Sequence, residues 1–163
     1  MNVRQGPGTG SYLMALNPRF TTASAARAKS SGFRPIFRQR AVDIINPDVS
    51  NCGGILELTL IAAAAETEAI AVSPHNYNST TMSLSATVHA AACMPNFIIT
   101  EYFLPFEEIS ERLCPDVLKP VNGHITLPEG PGLGLTVNEQ VVRAEKSQQF
   151  PARTFRPLTE EGP

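Results

Sequence analysis

Asn46-Pro47-Asp48-Val49-Ser50-Asn51-Cys52-Gly53-Gly54 and, further on, Ser73-Pro74-His75-Asn76 are the two stretches that decide the fold. They place Asp48 and His75 27 residues apart, each just past a short apolar run. The first run, Val42-Asp43-Ile44-Ile45-Asn46, reads as a buried strand ended by Pro47; the second, Ala69 to Val72, reads as another. Between them Gly53-Gly54 permits a tight turn into a helix. Ile55, Leu58, Ile61 or Ala62, and Ala65 then recur at helical spacing and give that helix one apolar face. If the two runs are neighbouring parallel strands, Asp48 and His75 emerge side by side at the same edge of a sheet. That edge is where α/β proteins keep their chemistry. A carboxylate that orients and charges an imidazole makes a proton-transfer pair.

Working outward, Phe33 to Arg40 has the content of a short helix despite Pro35. Ser79-Thr80 can cap a further helix with Leu84, Val88 and Ala91 on one face, stopped by Pro95. Phe97-Ile98-Ile99 reads as a third strand that delivers Glu101 at its C-terminal end. Strand, helix, strand, helix, strand is the rhythm of a parallel sheet. The chain then changes character, with a short helix expected around Glu107–Leu113 and Pro- and Gly-rich irregular chain from Pro128 to Gly134. The domain reading is a basic flexible leader over residues 1–31, a structured region over 32–142 and a polar tail over 143–163. The cluster Gly6-Pro7-Gly8-Thr9-Gly10 lacks the strand and helix a phosphate loop needs, so a flexible loop is expected there.

The 163 residues suffice for one domain with a real core. Thirteen basic and fifteen acidic residues nearly balance, which gives no reason to expect a nucleic-acid partner. Their distribution is uneven: Arg4, Arg19, Arg27, Lys29, Arg34, Arg38 and Arg40 all precede the first acidic residue, Asp43. An acid-free leader with Arg, Ser and Ala can be an organelle transit peptide. Pro7, Pro18 and the lack of a sustained amphipathic period favour an unstructured leader and a cytoplasmic protein. Cys52, Cys93 and Cys114 form no C-x-x-C pair, so reduced thiols are expected, with neither a zinc site nor a disulfide framework. No apolar run approaches ~20 residues, so no membrane partner is expected.

Four motifs, in order, carry a family resemblance: DIINPDVSNCGGILE (43–57), AVSPHN (71–76), PNFIITEYF (95–103) and GHITLPEGPGLGL (123–135). Together they resemble the C-terminal part of the enolase superfamily, in its mandelate racemase/muconate lactonizing enzyme-like branch of acid-sugar dehydratases. The resemblance runs from Gly32 to Val142. It implies an α/β fold, namely the C-terminal three βα units of a TIM-type barrel, incomplete here, with a disordered leader and an irregular tail. The three strands then stand for the sixth, seventh and eighth. Asp48 and His75 match the family's catalytic dyad, and Glu101 matches the eighth-strand acid that hydrogen-bonds the substrate carboxylate. Asn76, just after His75, is the candidate substrate-binding residue; Tyr77 and Asn78 lie in the same loop. The implied partner is a small acid-sugar substrate and the implied cofactor is Mg²⁺. The parent activity is dehydration of a sugar acid to a 2-keto-3-deoxy acid, although the dyad separates dehydratase, racemase and cycloisomerase only weakly.

The departure from the family is as plain as the resemblance. The family's metal-binding carboxylates come from its third, fourth and fifth strands and its lysine base usually from the second. Residues 1–42 contain neither Asp nor Glu. The metal ligands are therefore expected to be absent, and with them independent activity. The alternative is a non-catalytic remnant that partners a full-length relative; a clipped gene model is a third reading. A partial barrel also leaves its first strand with an open apolar edge. Either the leader covers that edge, the chain forms a homo-oligomer, or it folds poorly and aggregates. Among the remaining candidates, Glu57, Glu66 and Glu68 read as a solvated helix face, Asp43 lies at the wrong strand end, and His89 and His124 read as structural or surface residues.

Overall fold

The structure is a computed structural model that describes residues 29–145, together with the backbone of residues 3–5, 12–17 and 20–24. These form strands β1 (Val3–Gln5), β2 (Tyr12–Asn17), β3 (Phe20–Ser24), β4 (Ile44–Ile45) and β5 (Ala71–Val72). The helices are α1 (Ser30–Arg38), α2 (Val49–Cys52), α3 (Ile55–Glu66), α4 (Thr81–Ala91), α5 (Glu107–Leu113) and α6 (Glu139–Ala144). The strands lie in one sheet in chain order.

β4 and β5 are parallel, with Ile44 opposite Ala71 and Ile45 opposite Val72. Their hydrogen bonds reach further than two residues. The N–H groups of Ala71, Ser73 and His75 donate to the carbonyls of Asp43, Ile45 and Pro47, each at 2.9 Å. Two regions differ from the sequence-based expectation. Residues read as a flexible leader carry strand pairing: β1 and β2 are antiparallel, β2 and β3 are antiparallel, and β3 runs parallel to β4. Of the outcomes expected for the β4 edge, coverage by the leader is the one formed: β3 pairs there and satisfies backbone groups that would otherwise template aggregation. The third strand expected over Phe97–Ile99 is reduced to a single parallel bridge, Val72 with Phe97. Among the described residues no strand pairs with its far side, and Ile98 and Ile99 stay 52% and 63% exposed. An apolar run supplies the tendency for a strand, but a ladder needs neighbours.

α3 packs over β4 and β5. Leu58, Ile61, Ala62 and Ala65 are buried as the spacing predicts, whereas Ile55 at the first turn is 39% exposed. They meet Ile45 and Val72 from the strands, Phe33 and Phe37 from α1, and Ala90 from α4 in one core. The Phe33 and Phe37 rings stack at 5.8 Å. Of the helix acids read as a solvated face, Glu66 is exposed, whereas Glu57 and Glu68 are partly buried: Glu57 accepts the Ser30 N–H at 2.6 Å and Glu68 pairs with Arg40 at 3.5 Å.

After α4 the irregular chain returns across the helix. Ser85 donates to the Leu133 carbonyl at 2.6 Å, and His89 Nε2 lies 3.3 Å from the same oxygen, so His89 is structural. Gly134 takes a left-handed φ of +68°, and a Cβ there would lie 2.3 Å from Pro128 Cβ. Only glycine fits. α5 occupies the expected Glu107–Leu113. The glycine cluster at 6–10 and the tail beyond Glu145 lie outside the described residues. The thiols of Cys52, Cys93 and Cys114 are free, and among the described residues no helix is long and apolar enough to cross a membrane.

The core makes α3 the element to probe. Ile61→Ala, at a fully buried position, is expected to cost about 2–5 kcal/mol in denaturant unfolding. Leu56→Ala, at a 72% exposed position of the same helix, is expected to change stability by less than about 0.5 kcal/mol. Equal effects at the two sites would contradict this packing.

Candidate active site

The site grows from the pairing of β4 with β5. Asp48 and His75 are themselves directly paired across the two segments, at the same 27-residue offset as Ile44 with Ala71 and Ile45 with Val72. No bulge intervenes between strand and site. The separation visible in the sequence is thus the register of the ladder, and it brings the two side chains together.

Asp48 divides its carboxylate between two tasks. Oδ1 accepts the Ser50 N–H at 2.8 Å, which caps α2. Oδ2 lies 3.0 Å from His75 Nδ1. Immediately after α2, Gly53 and Gly54 take φ values of +126° and +99°, which lets the chain turn into α3. The Asp48 side chain is only 3% exposed and that of His75 26%, so the bond between them is largely shielded. Burial pushes the Asp48 carboxyl up. The hydrogen bonds from His75 and the Ser50 N–H outweigh it and hold the group below its ordinary value. His75 moves the other way: its bond to Asp48 raises it above the usual 6.5, burial opposes the rise, and Glu101 adds to it.

Glu101 arrives on the third side. Its Oε2 lies 3.9 Å from His75 Nε2, beyond hydrogen-bond range, so Nε2 faces the acid without being tied to it. The side chain is half exposed, and the neighbouring Ile98 and Ile99 point largely to solvent. No apolar enclosure forms around this acid among the described residues. Asn76 is 1% exposed, and its backbone N–H and Nδ2 both bond Glu101. Tyr77 is 60% exposed, with its ring 6.2 Å from that of His75 and edge-on to Phe103 at 4.6 Å.

The arrangement can move a proton. Nδ1 is committed to Asp48, so proton exchange falls to Nε2. The pair does not suit Mg²⁺. Both Asp48 oxygens are engaged within the protein, and among the described residues no group of three or more His, Cys, Asp or Glu could hold a metal. β3, the strand beside β4, carries no carboxylate, nor does any residue before Asp43.

The structure brings together the three residues singled out in the sequence, Asp48, His75 and Glu101. The residues that hold them were not singled out there. Asn46 Nδ2 donates to the Ser73 carbonyl at 2.8 Å, Thr100 Oγ1 to that of Pro74 at 2.8 Å, and Asn96 Nδ2 to those of Ala62 and Ile70 at 3.0 and 2.9 Å. The asparagines at strand starts and ends were their only signal.

Known proteins give the geometry a context. The family described as enolase C-terminal domain-like matches residues 24–141. D-xylonate dehydratase of Haloferax volcanii is 37% identical over 117 residues, 69% of this chain and 27% of that enzyme. Arabinonate dehydratase of Saccharolobus solfataricus is 33% identical over 114 residues, 70% of this chain and 30% of that enzyme. Among solved structures, a mandelate racemase/muconate lactonizing enzyme-like protein from Rubrobacter xylanophilus superposes with a TM-score of 0.69 at 33% identity, covering 78% of this chain and 33% of that one. A member of the enolase superfamily from Salmonella Typhimurium gives 0.70 at 28% identity, covering 75% and 31%. The chain thus spans less than a third of the length of the two dehydratases.

The opposite shifts of Asp48 and His75 set a pH window. The lowered Asp48 contributes stability above its ordinary 3.8 and loses it as pH falls through the folded value. The raised His75 contributes fully below 6.5 and loses it as pH rises through the folded value. Asp48→Asn, which keeps the helix cap, is therefore expected to be most destabilising between those two pH values and less so on either side. Urea unfolding across pH checks this, and a pH-independent difference would contradict it.

Proposed function

The chain belongs to the enolase C-terminal domain-like family, and from that membership we propose that it is the acid/base side of a sugar-acid dehydratase. The observation that carries the reading is the shielded 3.0 Å contact between Asp48 Oδ2 and His75 Nδ1, with Nε2 left facing Glu101. The curated relatives at 37% and 33% identity are dehydratases of xylonate and arabinonate. In such a reaction the proton next to the carboxylate is removed, the β-hydroxyl departs as water, and the enol product becomes a 2-keto-3-deoxy acid. His75 supplies the proton to the departing hydroxyl from Nε2. Asp48 holds the ring and favours its charged form, which keeps that proton available near neutral pH. Glu101, when protonated, donates a hydrogen bond to the carboxyl end of the substrate, and Asn76 borders the same site.

Members of the family depend on Mg²⁺ in general, and the ion supplies charge stabilisation for the enolate when bound. Among the described residues no cluster of carboxylates forms its site. The reading therefore requires carboxylates from additional polypeptide, and the 163 residues alone are inactive. A second reading, as a non-catalytic partner of a full-length relative, draws on the exposed apolar side chains Ile98, Ile99 and Leu104 beside the site, the last 68% exposed.

A chimaera separates the readings. Residues 24–141 replace the matching segment of the Haloferax volcanii D-xylonate dehydratase, and the product is assayed on a panel of sugar acids. Turnover that is lost in the His75→Asn version is expected, while the isolated chain gives none. A folded chimaera with no activity on any sugar acid, or one indifferent to His75→Asn, would overturn the catalytic reading.

A further inference from the structure

The backbone N–H of Asn76 donates to Glu101 Oε2 at 2.8 Å, and its side-chain Nδ2 donates to the Glu101 carbonyl at 3.3 Å. One residue thus bonds both the side chain and the main chain of another. The two stand 25 residues apart, the same offset as the Val72–Phe97 bridge, so Glu101 stays in register after the ladder has stopped. Pro74 has no N–H to extend that ladder. Thr100 Oγ1 on the Pro74 carbonyl and Asn76 Nδ2 on the Glu101 carbonyl take over from the backbone.

Packing alone does not explain an amide at this position. Asn76 is 1% exposed, and its Oδ1 has no hydrogen-bond partner among the described residues. An unsatisfied buried acceptor is costly, and an apolar side chain of the same shape avoids that cost. What the amide does is hold the end of the 97–101 segment, whose acid is half exposed and otherwise at liberty to swing into solvent.

We infer that Asn76 is a positioning residue that fixes Glu101 opposite Nε2 of His75, so that the strand-end acid and the Asp48–His75 pair act as one unit. The consequence for turnover rests on the proposed acid/base reading, but the coupling itself is measurable without substrate. A failed chimaera and a failed coupling are therefore separate results. Among the described residues, the groups that face His75 are Asp48 on Nδ1, Glu101 on Nε2 and the Tyr77 ring.

The test is an NMR titration of the His75 imidazole in the 163-residue chain, in wild type, Asn76→Ala, Glu101→Gln and the double variant. Glu101→Gln is expected to lower the midpoint. Asn76→Ala is expected to lower it in the same direction, and the double variant no further than Glu101→Gln alone, because Asn76 acts only through Glu101. Should Asn76→Ala fail to fold, Asn76→Leu keeps the volume, removes the Nδ2 bond to the Glu101 carbonyl, leaves the backbone N–H on Oε2 and is read in the same way. A wild-type midpoint in the Asn76 variants would overturn the inference. So would a drop of equal size with and without the Glu101 carboxylate, which marks a general packing effect.

Discussion

Everything at this site depends on the parallel register of β4 and β5. The register of 27 residues, Ile44 with Ala71 through Asp48 with His75, is held by three backbone hydrogen bonds of equal length, from the N–H groups of Ala71, Ser73 and His75 to the carbonyls of Asp43, Ile45 and Pro47. Strands of two residues are short for a sheet. What keeps them in place is the core above them, where Leu58, Ile61 and Ala65 of α3 close over Ile45 and Val72. A slip of one residue would turn those strand side chains from the core to the opposite face and part Asp48 from His75. Fold and chemistry are thus fixed by the same constraint.

The second constraint is electrostatic. Asp48 is buried and ionised, a combination that needs compensation. It receives the N–H of Ser50 at one oxygen and the imidazole at the other. The cap on α2 is therefore also the clamp that fixes the rotamer of the carboxylate, and through it the orientation of the ring. His75 in turn is held above its ordinary value with Nε2 uncommitted, the state of a group that can deliver a proton. Glu101 belongs to the same unit although it comes from a segment with a single bridge to the sheet. Side-chain hydrogen bonds from Asn76 and Thr100 substitute there for the missing ladder.

Much of this was legible in the sequence, for identifiable reasons. The spacing between Asp48 and His75 equals the register because two buried strands and one helix fill it without a bulge. The helix at 55–66 was visible in the recurrence of Leu58, Ile61 and Ala65, and α5 in its own short polar run. Three features were hidden. Phe97-Ile98-Ile99 has the composition of a buried strand, yet composition cannot say whether a second neighbour is present. Thr22 and Ala23, in a run of small polar residues, gave no sign of pairing with Ile44 and Ile45, because parallel pairing is non-local and leaves no periodic mark in so short a segment. Asn76 looked like a loop residue open to substrate. That it is buried and bonded to Glu101 follows only from the three-dimensional meeting of two segments 25 residues apart.

The central claim is that Asp48 fixes the tautomer of His75 so that Nε2 is the atom that exchanges protons. The most direct measurement is a long-range ¹H–¹⁵N correlation spectrum of the labelled chain, recorded above the titration of His75. The account predicts a neutral ring with its proton on Nδ1 and a bare Nε2. A ring protonated on Nε2 with Nδ1 bare would contradict it, because Asp48 would then hold no proton of His75.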